Sequence, residues 1–117
     1  YQPPLGANRY ATVLLYLTDS GEAAGGHTVF PLATADNATQ LDGISFADES
    51  AGCDFPELLQ RRGLMVQPRR GDALVMYSQL PGTGRLDSRT RHGSCPLRLG
   101  AKAVVNFWFW NRAVIYR

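Results

Sequence analysis

The sequence predicts an all-β domain built as a sandwich or jelly roll. Short runs of β-branched, aromatic and aliphatic residues recur along the chain, and Gly, Pro, Asp and Asn clusters separate them. The clearest run, Tyr10 to Leu17, is apolar on both of its alternating faces, as a strand covered on two sides would be. The chain has 117 residues, which bounds it to one domain over 1–117, and its 44% hydrophobic content is ordinary for a domain with a real core. A net charge of +2 is too small to argue for nucleic acid. No run approaches the ~18 apolar residues of a membrane-spanning helix. No signal peptide is visible and Tyr1 is not an initiator methionine, so the expected start is a processed, cut or incompletely represented one.

The elements follow in order. Tyr1 to Asn8 contains Pro3, Pro4 and Gly6 and is expected as loop. In the Tyr10–Leu17 strand, Tyr10, Thr12, Leu14 and Tyr16 share one face, and Ala11, Val13, Leu15 and Leu17 the other. Thr18 to Gly26 reads as a turn, and His27 to Phe30 as a short strand stopped by Pro31. Residues 32–62 read as a lid or insertion loop, with plain surface disorder as the alternative. Leu32 to Gly52 is small, polar and without period, while Phe55 to Arg62 suits one or two helical turns. Leu64 to Gln67 and Ala73 to Tyr77 read as a hairpin across the turn Pro68–Asp72. Leu80 to Ser88 is loop, Arg89 to His92 enters a strand, and Ala101 to Trp110 is the last long strand.

One stretch carries chemistry. His92 stands ten positions ahead of Lys102, the chain between them turns through Pro96 and Gly100, and the lysine opens an apolar, aromatic strand. Desolvating an ammonium is costly unless an anion meets it, and an imidazole is a good ligand for a divalent transition metal. Together they suggest a pocket for a metal and a small acid. On that last strand Lys102, Val104, Asn106, Trp108 and Trp110 share a face.

His92-Gly93-Ser94-Cys95-Pro96, then Gly100-Ala101-Lys102 and the aromatic strand, resembles the C-terminal signature of prolyl 4-hydroxylases, which are Fe(II) and 2-oxoglutarate-dependent oxygenases. Arg9 to Asp19 resembles that family's early core strand. Gly25-Gly26-His27-Thr28-Val29-Phe30-Pro31 resembles its Gly-Gly-Glu-Thr-x-Phe-Pro element, with His27 where Glu or Ala is usual. Val66 to Leu74 resembles its V-x-P-x-x-G-x-A-L segment. The four motifs fall in the family's order from Arg9 to Trp108, and Leu86 to Pro96 is most similar to plant and algal members.

The resemblance implies a double-stranded β-helix, a jelly-roll variant, of which this chain would be the C-terminal part of the oxygenase core. It implies hydroxylation of peptidyl proline with O2 and 2-oxoglutarate, releasing succinate and CO2, with Fe(II) and ascorbate as cofactors. His92 would be the distal metal ligand and Trp108 would lie near metal and substrate. Lys102 would bind the far carboxylate of 2-oxoglutarate. The Tyr16 hydroxyl would meet the same carboxylate, with Thr12 and Leu14 lining that pocket. Residues 32–62 would lie near the peptide groove. A Cys53–Cys95 disulfide is implied as well; the residues alone equally allow two buried thiols. A disulfide and the sequon Asn37-Ala38-Thr39 would place the protein in the endoplasmic reticulum and secretory pathway, with the cytoplasm as the alternative.

Each of these residues has a plainer reading. His92 could be a hydrogen-bonded core histidine, Lys102 could run its stem along the strand to water, Tyr16 could satisfy its hydroxyl locally, and Trp108 could only pack. His27 is not at a ligand position of the family. A zinc site from His27, His92, Cys53 and Cys95 lacks any close Cys-x-x-Cys pair. Arg61, Arg62, Arg69 and Arg70 read as solvated turn residues rather than a phosphate grip. The family's first metal motif, His-x-Asp, begins at neither histidine of the chain. The expectation is therefore either a piece of an oxygenase or a non-catalytic jelly-roll binding module; a third option is an oxygenase acting on another substrate.

Overall fold

A computed structural model describes residues 8–21, 24–33, 53 and 63–112. Within them the chain is all-β, as two three-stranded antiparallel sheets. β1 (Arg9–Tyr16) is the middle strand of the first sheet, between β4 (Ala73–Tyr77) and β6 (Val104–Trp110). β2 (Thr28–Phe30) is the middle strand of the second, between β3 (Leu64–Val66) and β5 (Gly93–Ser94). The β-branched and aromatic residues of β1 suit a pleated, doubly flanked position. Period-two alternation then sends Thr12, Leu14 and Tyr16 toward the second sheet, where all three are buried.

The sheets meet on those side chains. Leu14, Phe30 and Met76 form the buried cluster, with Ala33, Val66 and Leu74 packed against it. Tyr16 is only 1% exposed, and its hydroxyl donates to Thr28 Oγ1 across the gap at 2.8 Å. On the far side of the second sheet Val29 packs on Cys95 and Cys53. Those two cysteines form a disulfide, so of the two readings left open above the structure selects the bond. The fold is the jelly-roll-like sandwich the sequence predicts.

Three local expectations are corrected. Leu64–Val66 and Ala73–Tyr77 are not a hairpin: β3 pairs with β2, and β4 with β1. The turn between them is captured by the end of β1 instead. The Tyr16 N–H donates to Asp72 O at 3.0 Å, the Gly71 N–H donates to Tyr16 O at 2.9 Å, and the Ser20 N–H donates to Pro68 O at 3.1 Å. Arg89 to His92 does not enter a strand directly; Ser88–Thr90 forms a 3-10 turn first. The face of β1 opposite the core is not overlaid by another layer among the described residues. Val13 and Leu15 there are half-buried by their neighbours, while Val75, Tyr77, Phe107 and Phe109 are exposed. The lid or insertion loop and the sequon at Asn37 lie outside the described residues, Leu32, Ala33 and Cys53 aside, as do the helical turns expected over Phe55 to Arg62.

Glycine is required where β2 is entered. Gly25 has φ +74, bridges to Leu97, and carries no room for a Cβ, which would collide with the Pro96 carbonyl oxygen. Gly71 also has positive φ, but a Cβ there would meet nothing within 4 Å. Gly71→Ala should therefore cost about 1 kcal/mol, from backbone conformation alone. Gly25→Ala should cost about 3 kcal/mol, because strain and collision add. Urea midpoints of the two variants, measured side by side, check the order.

Candidate active site

Between the two sheets lies a cavity of ≈ 480 Å³. β1 contributes Arg9, Thr12 and Leu14, β2 contributes Thr28, β5 contributes Gly93 and Ser94, and β6 contributes Val104, Asn106 and Trp108. His92 and Lys102 enter from the segments just before β5 and β6. Residues far apart in sequence thus face one space, because β1 and β2 are the middle strands of the two sheets.

His92 owes its placement to the 3-10 turn. Asp87 caps that turn by accepting from the Arg89 N–H at 3.0 Å, and its carboxylate also holds the Arg89 guanidinium at 2.7 Å. The Arg89 hydrogen bond keeps the Asp87 carboxyl below its usual range; the arginine of the pair is half exposed, and the pair adds little stability of its own. The turn presents the Thr90 carbonyl to His92 Nδ1 at 2.8 Å. A carbonyl can only accept, so this contact assigns the proton to Nδ1 and leaves the Nε2 lone pair available as a donor to a metal. The ring leans on Phe30, centroid to centroid 5.5 Å, and is otherwise exposed. It is not a core histidine.

Lys102 crosses from the first sheet to the second. Its ammonium donates to the Gly26 carbonyl and to Ser94 Oγ at 2.9 Å, and it lies 5.9 Å from the centre of the Tyr16 ring. Its stem lies over Gly26: a Cβ on that residue would sit 3.4 Å from Lys102 Cδ and 3.0 Å from Leu97. Burial removes water from the ammonium and pulls its pKa below the ordinary 10.5. Among the described residues no carboxylate meets it. A half-desolvated cation held only by neutral acceptors is primed for an anion from outside.

Tyr16 stands behind Thr28 rather than on the cavity. Its hydroxyl is given to Thr28 Oγ1, and it is Thr28 that lines the space. Thr12, Leu14 and Trp108 face the cavity directly. Trp108 is 48% exposed and carries the Arg9 guanidinium over its ring at 4.0 Å, with the Trp110 ring 5.9 Å from the same group. Arg9 has no role in the sequence reading, because strict alternation does not place it. A bulge between Arg9 and Ala11 breaks the alternation. Arg9 thereby faces the cavity, and Tyr10, expected beside Thr12, instead meets Tyr77 edge to face at 5.6 Å.

His27 lines a different cavity, of ≈ 340 Å³, with Cys53, Cys95, Met65 and Arg98. The four-residue zinc option fails, because both sulfurs are spent in the disulfide. Among the described residues no group of three His, Cys, Asp or Glu side chains is placed to hold a metal. His92 offers one nitrogen donor, so these residues do not by themselves make an iron centre. Lys102 does offer a cation to one carboxylate of an entering acid.

Comparison with known proteins identifies the family. The 2OG-Fe(II) oxygenase superfamily matches residues 2–110. Probable prolyl 4-hydroxylase 9 of Arabidopsis thaliana is 39% identical over 105 residues, covering 90% of this chain and 31% of that protein. Prolyl 4-hydroxylase 5 of Arabidopsis thaliana is 35% identical over 104 residues, covering 89% and 31%. The transmembrane prolyl 4-hydroxylase of Mus musculus is 34% identical over 108 residues, covering 86% and 20%. The chain thus spans about a third or less of the length of these relatives.

The lowered pKa of Lys102 sets a sign. A carboxylate binds the ammonium and not the amine, so its affinity is complete while Lys102 is protonated and falls as pH rises through the depressed pKa. A small dicarboxylic acid should therefore begin to lose affinity at a pH below the ordinary lysine range. Calorimetric titration from neutral pH upward checks this; an affinity unchanged throughout the alkaline range would show that Lys102 is not the anchor.

Proposed function

Because the chain belongs to the 2OG-Fe(II) oxygenase superfamily, as a member of its prolyl 4-hydroxylase family, we propose that the whole protein hydroxylates peptidyl proline with O2 and 2-oxoglutarate, releasing succinate and CO2. One observation carries this reading: a half-desolvated ammonium that meets no carboxylate among the described residues and an imidazole with an open Nε2 line the same cavity. Lys102 takes the far carboxylate of 2-oxoglutarate, and the Tyr16–Thr28 pair stiffens the wall beside it. His92 gives one ligand to Fe(II), which supplies oxygen activation when bound. Thr12 and Leu14 line the same cavity.

Trp108, with Arg9 laid across it, forms the side on which a proline-containing peptide would approach. Ascorbate is proposed on the same family ground. The disulfide supports a secretory, oxidising compartment such as the endoplasmic reticulum. Among the described residues no helix is long and apolar enough to cross a membrane.

The test uses the whole protein. Lys102→Ala should raise the KM for 2-oxoglutarate about a hundredfold, since a desolvated charge contact is lost, and should leave iron affinity near that of the parent. His92→Ala should abolish CO2 release that depends on a proline-rich peptide. Unchanged 2-oxoglutarate kinetics in the first variant would remove Lys102 from its role, and normal turnover in the second would remove His92 from the metal.

A further inference from the structure

An ammonium carries three N–H donors. On Lys102 two are taken, by the Gly26 carbonyl and by Ser94 Oγ, which leaves one for an entering acid. The two acceptors differ in kind. The carbonyl belongs to backbone at a positive-φ glycine with the Lys102 stem lying against it, so no side-chain change removes it. Ser94 Oγ is a side-chain atom, and its mounting is firm. Ser94 is paired opposite Thr28, and Thr28 is tied in turn to the first sheet by Tyr16. The next residue, Cys95, donates its N–H to His27 O at 2.8 Å and is bonded to Cys53. A hydroxyl also orients a cation without neutralising it, as a carboxylate in its place would.

Building on the reading that Lys102 takes the far carboxylate, we propose that Ser94 is a positioning residue that fixes how far the Lys102 ammonium stands into the cavity, and thereby selects the length of the 2-oxo diacid bound there. The reacting end of the acid is set apart from the ammonium, at the metal to which His92 of the same cavity would give a ligand. The distance between the two ends is then decided by where the ammonium is held. Without the Ser94 hydroxyl, the ammonium pivots on the Gly26 carbonyl into the vacated space. The far carboxylate must follow it, and a longer diacid gains relative to 2-oxoglutarate.

The experiment is calorimetric titration of the full-length protein, loaded with Fe(II) without oxygen, with the four-, five- and six-carbon 2-oxo diacids. Wild type should prefer the five-carbon acid. Ser94→Ala should weaken the five-carbon acid roughly tenfold and weaken the six-carbon acid much less, so that the preference between them narrows. Ser94→Thr, which keeps the hydroxyl, should keep the wild-type preference. If Ser94→Ala weakens all three acids in the wild-type ratio, or if Ser94→Thr narrows the preference as alanine does, the hydroxyl does not gauge length and the inference falls alone. If wild type binds none of the three, the assignment of Lys102 falls and takes the inference with it.

Discussion

A half-desolvated ammonium has to find acceptors, and the arrangement of this domain follows from where Lys102 finds them. The lysine sits at the entry to the edge strand of one sheet, and its partners, Gly26 O and Ser94 Oγ, belong to the other. A second polar bridge, Tyr16 to Thr28, runs nearby. The apolar cluster of Leu14, Phe30 and Met76 holds the sheets together without direction. The two polar bridges supply the direction: they fix which residues of the second sheet stand opposite which residues of the first. Lys102, Ser94 and Thr28 of these bridges also line the cavity, so the same contacts align the sandwich and furnish its site.

Much of this was legible in the residues. Alternation in β1 correctly put Thr12 and Leu14 on one face, and alternation in β6 did the same for Asn106 and Trp108. An isolated lysine at the mouth of an aromatic strand was informative because burying it requires an explanation. What the residues did not disclose was non-local. The pattern of β3 and β4 is that of a hairpin, and nothing within it says that each strand has a better partner elsewhere. Arg9 was hidden for another reason. A single bulge reverses the parity of the residues before it, and bulges leave no fixed mark in sequence. The Tyr16 hydroxyl, spent on Thr28 rather than on the cavity, shows a third limit, since a face assignment gives a direction and not a partner.

The interactions around the site differ widely in weight. Asp87 and Arg89 make an ion pair whose arginine is half exposed, and its use is to shape the turn that presents Thr90 O to His92. The Cys53–Cys95 bond is of another order. Its partners are 42 residues apart, and closing a loop of that length in the unfolded chain is worth about 4 kcal/mol in the chain-entropy account. Cys95 directly follows β5, so this bond secures the wall on which Ser94 stands.

The middle position of β1 also bears on how the molecule is made. Leu14 pairs with Leu74 on one side and with Asn106 on the other, so both partners arrive long after it during synthesis. A ribosome releases β1 first and Trp110 near the end of this region. For that interval a largely apolar strand of the nascent chain has unpaired edges, the form most open to wrong pairing between chains. This strand order leaves both edges of β1 open until the chain has passed Ala73 on one side and Val104 on the other.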